Sequence, residues 1–371
     1  MIYLDQAATS LIKPASVEHA VVRAMRTMAS PGRGGHEPAM RAAETVFRAR
    51  ELAAELFHLN GPEQVVFTCN ATHGLNLAIR TLVKPGAPVV ISGFEHNSVT
   101  RPLHALNARI RVAGRRLFDP ESVLKDFAEM LPGASCAVCT YVSNTFGYIL
   151  PIYEIADLCR REGVPLIVDA SQAAGVLELD MQRLHAAFAA MPGHKSLFGP
   201  QGTGLLLCGM TAEPLLYGGS GSESLEQNMP DYLPDRLEAG THNVCGIAGL
   251  LAGMEYVREK GTKQILQGEK ALLRQCVEEL SDTGLQLFAG DPSLQCGVLS
   301  LRSPEIDCET LASRLAERGV CVRSGLHCAP FAHESAGTLE TGTVRLSFSP
   351  MLDAVQISRA CDILRQSVAA G

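Results

Sequence analysis

The 371-residue chain has no tryptophan, and aromatic residues make up only 5% of it. It also lacks any apolar run of the roughly 18 residues that span a bilayer, which excludes a helical membrane protein. Long basic runs are missing too. The longest are pairs such as Arg115-Arg116 and Arg160-Arg161, and the formal net charge is −7. That balance excludes nucleic acid and anionic membrane surfaces as partners. The opening MIYLDQAATS has no basic segment and places Asp5 where a secretory signal would be apolar. The expectation is a soluble, cytoplasmic protein.

What is present is an ordinary globular composition, 46% hydrophobic and 19% charged, with no internal repeats and no low-complexity linkers. At roughly 100–200 residues per domain, the length allows one large domain or two modest ones. A chain this long buries enough apolar surface to fold without disulfides or metal. Its twelve cysteines therefore read as reduced thiols, most of them inside apolar runs. Cys136 and Cys139 form a C-x-x-C pair, but within the strand-like run CAVCTYV and without a second pair. No metal site is expected.

From about residue 65 to 208, short β-branched runs alternate with helix-like segments. The strand candidates are VVFT (65–68), PVVIS (88–92), CAVCTYV (136–142), PLIVDAS (165–171), AAFAAM (186–191) and GTGLLLC (202–208). Segments such as Ile152–Glu162 carry apolar residues at helical spacing between them. This alternation predicts a mostly parallel sheet covered by helices on both faces. Beyond the Gly/Ser-rich stretch at 218–224 the pattern changes to helices over 244–259, 263–282 and 352–369, with strands near 296–301 and 343–348. The expected division is a large α/β domain over 13–250 and a smaller α+β domain over 1–12 and 251–371.

Thr72, His96, Asn144, Asp169 and Lys195 each fall at or a few residues after the end of a strand candidate. In an open parallel sheet, ligands bind at the carboxyl ends of the strands, so five such coincidences point to one site. Lys195, in PGHKSLFGPQGTG (192–204), follows an apolar strand among glycines, where a lysine of lowered pKa can form a Schiff base with a carbonyl. Asp169 ends four apolar residues and needs a cationic partner if buried. A pyridinium nitrogen is one such partner, and a helix N-cap is the plainer alternative. In CNATHGLN (69–76), backbone N–H groups and the Thr72 hydroxyl can hold a phosphate, although Asn and Thr also cap helices. His96 can stack on an aromatic ring or move a proton. In RSGLHCAP (323–330), Cys328 stands in a loop beside His327 and Arg323, which favour its thiolate. Arg345 can clamp a carboxylate.

Taken together, these motifs resemble the class V aminotransferase superfamily of fold type I pyridoxal-phosphate (PLP) enzymes, and within it the cysteine desulfurases. The resemblance runs from YLDQAATS (3–10) to the terminal helix. Asp-x-x-Gln at 169–172 and Gly-His-Lys at 193–195 carry the superfamily, and R-S-G-x-H-C at 323–328 narrows it. The resemblance implies that Lys195 holds PLP, Asp169 faces its ring nitrogen and His96 stacks on the ring. It implies that Gln172 and Asn144 bond the ring hydroxyl or substrate, and that Ala71, Thr72 and His194 hold the phosphate. Thr241, in EAGTHN, resembles a phosphate contact from a neighbouring subunit, which implies a homodimer. Arg345, with Arg323, would bind the carboxylate of L-cysteine or L-selenocysteine. The segment RGGH (33–36) resembles one near the site entrance. The short stretch from Cys328 to Arg345 resembles the group with an ordered cysteine loop that hands sulfur, as a persulfide on Cys328, to an acceptor protein.

Three positions depart from the family pattern. Pro192 stands where a serine or threonine is usual, Leu326 where a histidine precedes the His-Cys pair, and His73 where an acidic residue is frequent. One extra residue also follows Lys195. The competing functions are a selenocysteine lyase or other PLP lyase, an aminotransferase with no use for Cys328, and a non-catalytic sulfur carrier that retains the fold. A dinucleotide-binding oxidoreductase is excluded, since no G-x-G-x-x-G opens the first strand–helix unit.

Overall fold

The structure is a computed structural model that describes residues 1–32 and 34–369. Arg33, first residue of the RGGH segment, lies outside the described residues. Thirteen strands occur in chain order: β1 (Ile2–Tyr3), β2 (Val65–Thr68), β3 (Pro88–Ser92), β4 (Arg109–Ala113), β5 (Cys136–Thr140), β6 (Leu166–Asp169), β7 (Phe188–Pro192), β8 (Gly204–Cys208), β9 (Gln286–Phe288), β10 (Val298–Arg302), β11 (Val320–Cys321), β12 (Arg323–Gly325) and β13 (Thr343–Ser347).

Seven of them form one sheet in the order β2-β8-β7-β6-β5-β3-β4. Only β8 runs against its neighbours, β2 and β7. The carboxyl ends of β2, β3, β5, β6 and β7 therefore share one edge. The central strands are apolar throughout because helices cover both faces, and each face has its own apolar layer. Residues three apart on a strand point to opposite faces. Cys136 and Cys139 accordingly sit in different layers and cannot ligate one metal. Burial pushes the Cys136 thiol up to about 12.

The six strand candidates of this sheet are all present: β2 and β3 at the residues expected, β5, β6 and β8 two or three residues shorter, and β7 starting two residues later and ending one later. The seventh strand, β4 (RIRVA), was not expected. It lies at the edge with its arginines exposed, so it has alternation but no apolar run.

After the long helix Val244–Lys260 comes a four-stranded antiparallel sheet, β12-β13-β10-β9. Helices Thr262–Leu280, Cys308–Glu317 and Ala354–Ala369 share with it a separate core, built on Leu299, Leu311, Val344, Leu346 and Leu364 and joined by Ile2 and Leu4 from the N-terminus. From there the first residues cross to the large sheet. The Ala7 N–H donates to Ser347 Oγ (2.9 Å), and the Ser10 N–H donates to the His194 carbonyl (2.9 Å). Among the described residues, no helix is long and apolar enough to cross a membrane.

Candidate active site

At the shared carboxyl edge lies a cavity with about 580 Å³ of non-atom space, part of it open to solvent. Its walls include Ala71, Thr72, His96, Asn144, Asp169, Gln172, His194 and Lys195. Eight residues singled out in sequence thus converge on one volume. Most reach it for the same reason: an apolar strand stops, and its last residue or the turn after it carries a polar side chain.

The helix Ala71–Leu82 points its N-terminus at this cavity. Asn70 is its N-cap, accepting the His73 N–H through Oδ1 (2.9 Å). That leaves the N–H groups of Ala71 and Thr72 without protein acceptors among the described residues, a ready place for an anion. The cap and phosphate readings of this turn are therefore compatible. The turn sits tight against β8. A Cβ on Gly204 would lie 2.8 Å from the Asn70 carbonyl carbon, so only glycine fits there.

Hydroxyls complete this end of the cavity. Thr72 Oγ1 and Ser98 Oγ are 2.7 Å apart, and Ser98 Oγ also meets His96 Nδ1 at 2.9 Å. Sequence reading missed Ser98. Its signal was its place two residues after His96, where it supplies a hydroxyl to a site in which Pro192 has none. His96 Nδ1 accepts the Ser98 N–H (3.0 Å), so the neutral ring carries its proton on Nε2. Burial lowers the pKa of His96, with Asp169 opposing and Lys195 adding to the drop. His194 is lowered to about 4, first by burial and then by Lys195 and Lys13. Both rings are neutral at physiological pH.

Asp169 is 3% exposed. One oxygen accepts the Ser171 N–H (2.9 Å), and no protein donor among the described residues meets the other. Burial brings the Lys195 ammonium down from 10.5 to about 8, against the pull of Asp169 and with help from Arg345 and Arg323. Gln172 Nε2 donates to the Ala7 carbonyl (2.9 Å). Beneath the floor lies Glu95, fully buried. Its Oε1 accepts from Ser92 Oγ (2.5 Å) and the Thr140 N–H (2.7 Å), tying the ends of β3 and β5 together.

Arg345 is 2% exposed and does not line the cavity. Its guanidinium donates to the Asn144 carbonyl (3.0 Å) and to Asp5 (2.7 Å), while its Nε is buried without a partner among the described residues. Arg323 lies opposite it across β12 and β13 with an exposed side chain. Cys328 and Cys69 are the exposed cysteines. The Cys328 loop is bonded to the cavity's surroundings twice: Asn144 Nδ2 donates to the His327 carbonyl (2.8 Å), and the Asn97 N–H to the Cys328 carbonyl (2.7 Å).

One expectation is revised. His327 does not assist the thiol as a cation. Its ring is turned inward, and burial, reinforced by Arg345, lowers it to about 3. Leu326, where a histidine was usual, is exposed and offers no proton either. Thr241 stands apart from Lys195, in a second cavity lined by Phe67, Gly202 and Glu238. Its segment is fixed by the buried Arg50–Glu238 ion pair, with Glu238 also accepting the Phe67 N–H (2.6 Å).

Known proteins are similar to this chain in sequence and fold. A family model for class-V aminotransferases matches residues 2–359. A protein of Pyrococcus abyssi named "Probable cysteine desulfurase" is 32% identical over 365 residues, covering 94% of this chain and 89% of the relative. A cysteine desulfurase of Escherichia coli is 31% identical over 346 residues, covering 88% and 84%. The apo structure of a cysteine desulfurase from Thermococcus onnurineus superposes with a TM-score of 0.93 at 29% identity, covering 100% of this chain and 95% of that one. With a match over nearly its whole length, the chain belongs to the class-V aminotransferase family.

Proposed function

We propose that the chain is a PLP-dependent cysteine desulfurase that converts L-cysteine to L-alanine and collects the sulfur on Cys328. The observation that carries this reading is convergence: Lys195, Asp169 and the anchor of the Cys328 loop meet at one cavity. The relatives named cysteine desulfurase support it.

The donor set fits PLP. The unused N–H groups of Ala71 and Thr72, the Thr72 hydroxyl and the neutral His194 suit its phosphate. The free oxygen of Asp169 suits a protonated ring nitrogen, His96 suits the ring face, and Asn144 and Gln172 suit the ring hydroxyl. Lys195 suits the carbonyl carbon. When bound there, the cofactor supplies an electron sink for negative charge at the substrate's α-carbon.

The protein's own residues supply the rest. Arg345, with Arg323, holds the substrate carboxylate once the Arg345 guanidinium turns from Asp5 and the Asn144 carbonyl. Lys195, titrating near pH 8, takes and returns a proton at the α-carbon. The Cys328 thiolate attacks the substrate sulfur. A sulfur–sulfur bond forms and the substrate's Cβ–S bond breaks. The electron pair stays with the three-carbon fragment, which gains a proton to become alanine. Cys328 keeps the persulfide until an acceptor protein removes it. The exposure of Cys328 supports such a hand-over.

The reading also divides the chain into a PLP-binding domain over 13–250 and a smaller domain over 1–12 and 251–371, supported by the separate apolar core. It includes a homodimer in which Thr241 reaches the neighbour's phosphate. A cytoplasmic setting, where twelve thiols stay reduced, is consistent with it.

The test supplies PLP, L-cysteine and a thiol reductant, and quantifies alanine and sulfide for wild type beside Cys328→Ser. Equal alanine and sulfide, lost in the variant, is expected. A protein that binds PLP and releases no alanine overturns cysteine as substrate.

A further inference from the structure

The cysteine loop rests on a buried chain of hydrogen bonds that the reaction does not use. His327 Nε2 lies 3.2 Å from the Arg323 carbonyl, and His327 Nδ1 lies 3.2 Å from His333 Nε2. His333 Nδ1 lies 2.8 Å from Thr338 Oγ1. The two rings are stacked 13° from parallel. His327, His333 and Thr338 are 6%, 0% and 1% exposed, so water cannot substitute for any of these partners.

The direction of the chain follows from its end. A backbone carbonyl only accepts, so His327 Nε2 must carry a hydrogen. A neutral ring has one N–H, which leaves His327 Nδ1 bare and able only to accept from His333 Nε2. His333 Nδ1 is then bare in turn and accepts the Thr338 hydroxyl. Burial, opposed at His333 by a backbone contact with Thr338, lowers His333 to about 4 and His327 to about 3, so both rings are neutral, as this order of donors requires.

This chain meets the loop where the backbone is least comfortable. His327 and Cys328 are consecutive non-glycine residues in the left-handed region, at φ +52° and +55°. Such a pair persists only where its surroundings over-determine it. Asn144 and Asn97 hold the two carbonyls from the cavity side, and the His327 ring is gripped from the interior side.

We propose that His333 and Thr338 are positioning residues for Cys328, acting through a one-way relay from the Thr338 hydroxyl through His333 and His327 to the Arg323 carbonyl. The relay keeps the strained His327–Cys328 turn in one conformation, and so sets where the Cys328 sulfur stands relative to the cavity. Its catalytic consequence rests on Cys328 being the sulfur acceptor; the relay itself does not.

The experiment uses the PLP-loaded protein. With ¹⁵N-labelled histidine, both rings should show protonated Nε2 and bare Nδ1, assigned by the loss of signals in His327→Gln and His333→Gln. An Nδ1–H on His333 overturns the relay whatever the activity of the variants. Thr338→Val leaves His333 Nδ1 without its donor. Hydrogen exchange at the Asn97 amide should rise, and kcat for alanine formation should fall, each about tenfold, the scale set by one lost buried hydrogen bond. KM and PLP absorbance should stay at wild-type values. Thr338→Ser should restore both. Wild-type exchange and kcat in Thr338→Val overturn the proposal, as does a loss that serine fails to rescue, since that reports packing alone. If wild type makes no alanine, the desulfurase reading fails while the tautomers and Asn97 exchange still decide this one.

Discussion

Glu95 gives the fold a pH dependence whose sign and size follow from its surroundings. The carboxyl is fully buried, one oxygen bridges Ser92 and Thr140, and the other has no partner among the described residues. Burial, opposed by those two hydrogen bonds and assisted by Asp169, raises its pKa from 4.5 to about 8. Between these values the folded protein holds a proton that the unfolded chain releases. Stability therefore falls as pH rises through that window and is fully present below it. At roughly 1.4 kcal/mol per pH unit, the full displacement caps the loss at about 5 kcal/mol. Relaxation around the charged form brings it to about 2–4 kcal/mol. Glu95→Gln keeps the acceptor for Ser92 and Thr140 but cannot ionise. Urea unfolding of wild type and variant at pH 5 and pH 8.5 isolates the effect as a difference of differences. Glu269, another buried carboxyl raised to about 8, is common to both proteins and cancels. Wild type should be at least as stable as Glu95→Gln at pH 5 and lose about 2–4 kcal/mol relative to it by pH 8.5. Parallel pH profiles would refute the reasoning.

Two further outcomes follow from the same geometry. Lys195 in PLP-free protein should react with an amine reagent at a rate that climbs through pH 8, since only the neutral amine is nucleophilic. Asp169→Asn should shift that midpoint lower still because its carboxylate raises Lys195, and a midpoint near 10.5 would sink the burial argument. Arg345→Lys keeps the charge but loses the fork that spans Asp5 and the Asn144 carbonyl. The KM for L-cysteine should rise on the order of 10–100-fold with PLP absorbance unchanged, and an unaltered KM would remove Arg345 from carboxylate binding.

Much of this architecture is written locally. VVFT and PVVIS are strands at the residues expected, because a buried parallel strand must be apolar on both faces. RIRVA escaped because an edge strand with arginines toward solvent has no such run. The cavity was legible for the same local reason, as each polar side chain interrupts an apolar pattern where a strand stops. What was not legible depends on how side chains are turned and paired in the folded chain, near or far in sequence. His327 looked like a cation beside Cys328, and only its contacts with His333 and the Arg323 carbonyl show that it is neutral and turned inward. Arg345 looked free for substrate, yet residue 5 is its ion-pair partner across 340 positions. Glu95 drew no attention beside His96, although it joins the ends of two strands.

Thr241 offers the sharpest separation between a site built within one chain and one built by two. It lies in a different cavity from Lys195, on a segment held by the Arg50–Glu238 pair, so its hydroxyl serves the phosphate only if it belongs to a neighbour. Thr241→Asp places a like charge against that phosphate and should abolish PLP retention, as Lys195→Ala abolishes turnover. Each variant alone should then be inactive. In a dimer with shared sites, the Thr241→Asp chain keeps its own Lys195 and receives an intact Thr241 from the Lys195→Ala chain, so one of the two sites is whole. Unfolding and refolding an equal mixture makes about half the dimers mixed, which restores about a quarter of wild-type activity. If Thr241 acted within its own chain, every site in the mixture would carry a defect and no activity would return.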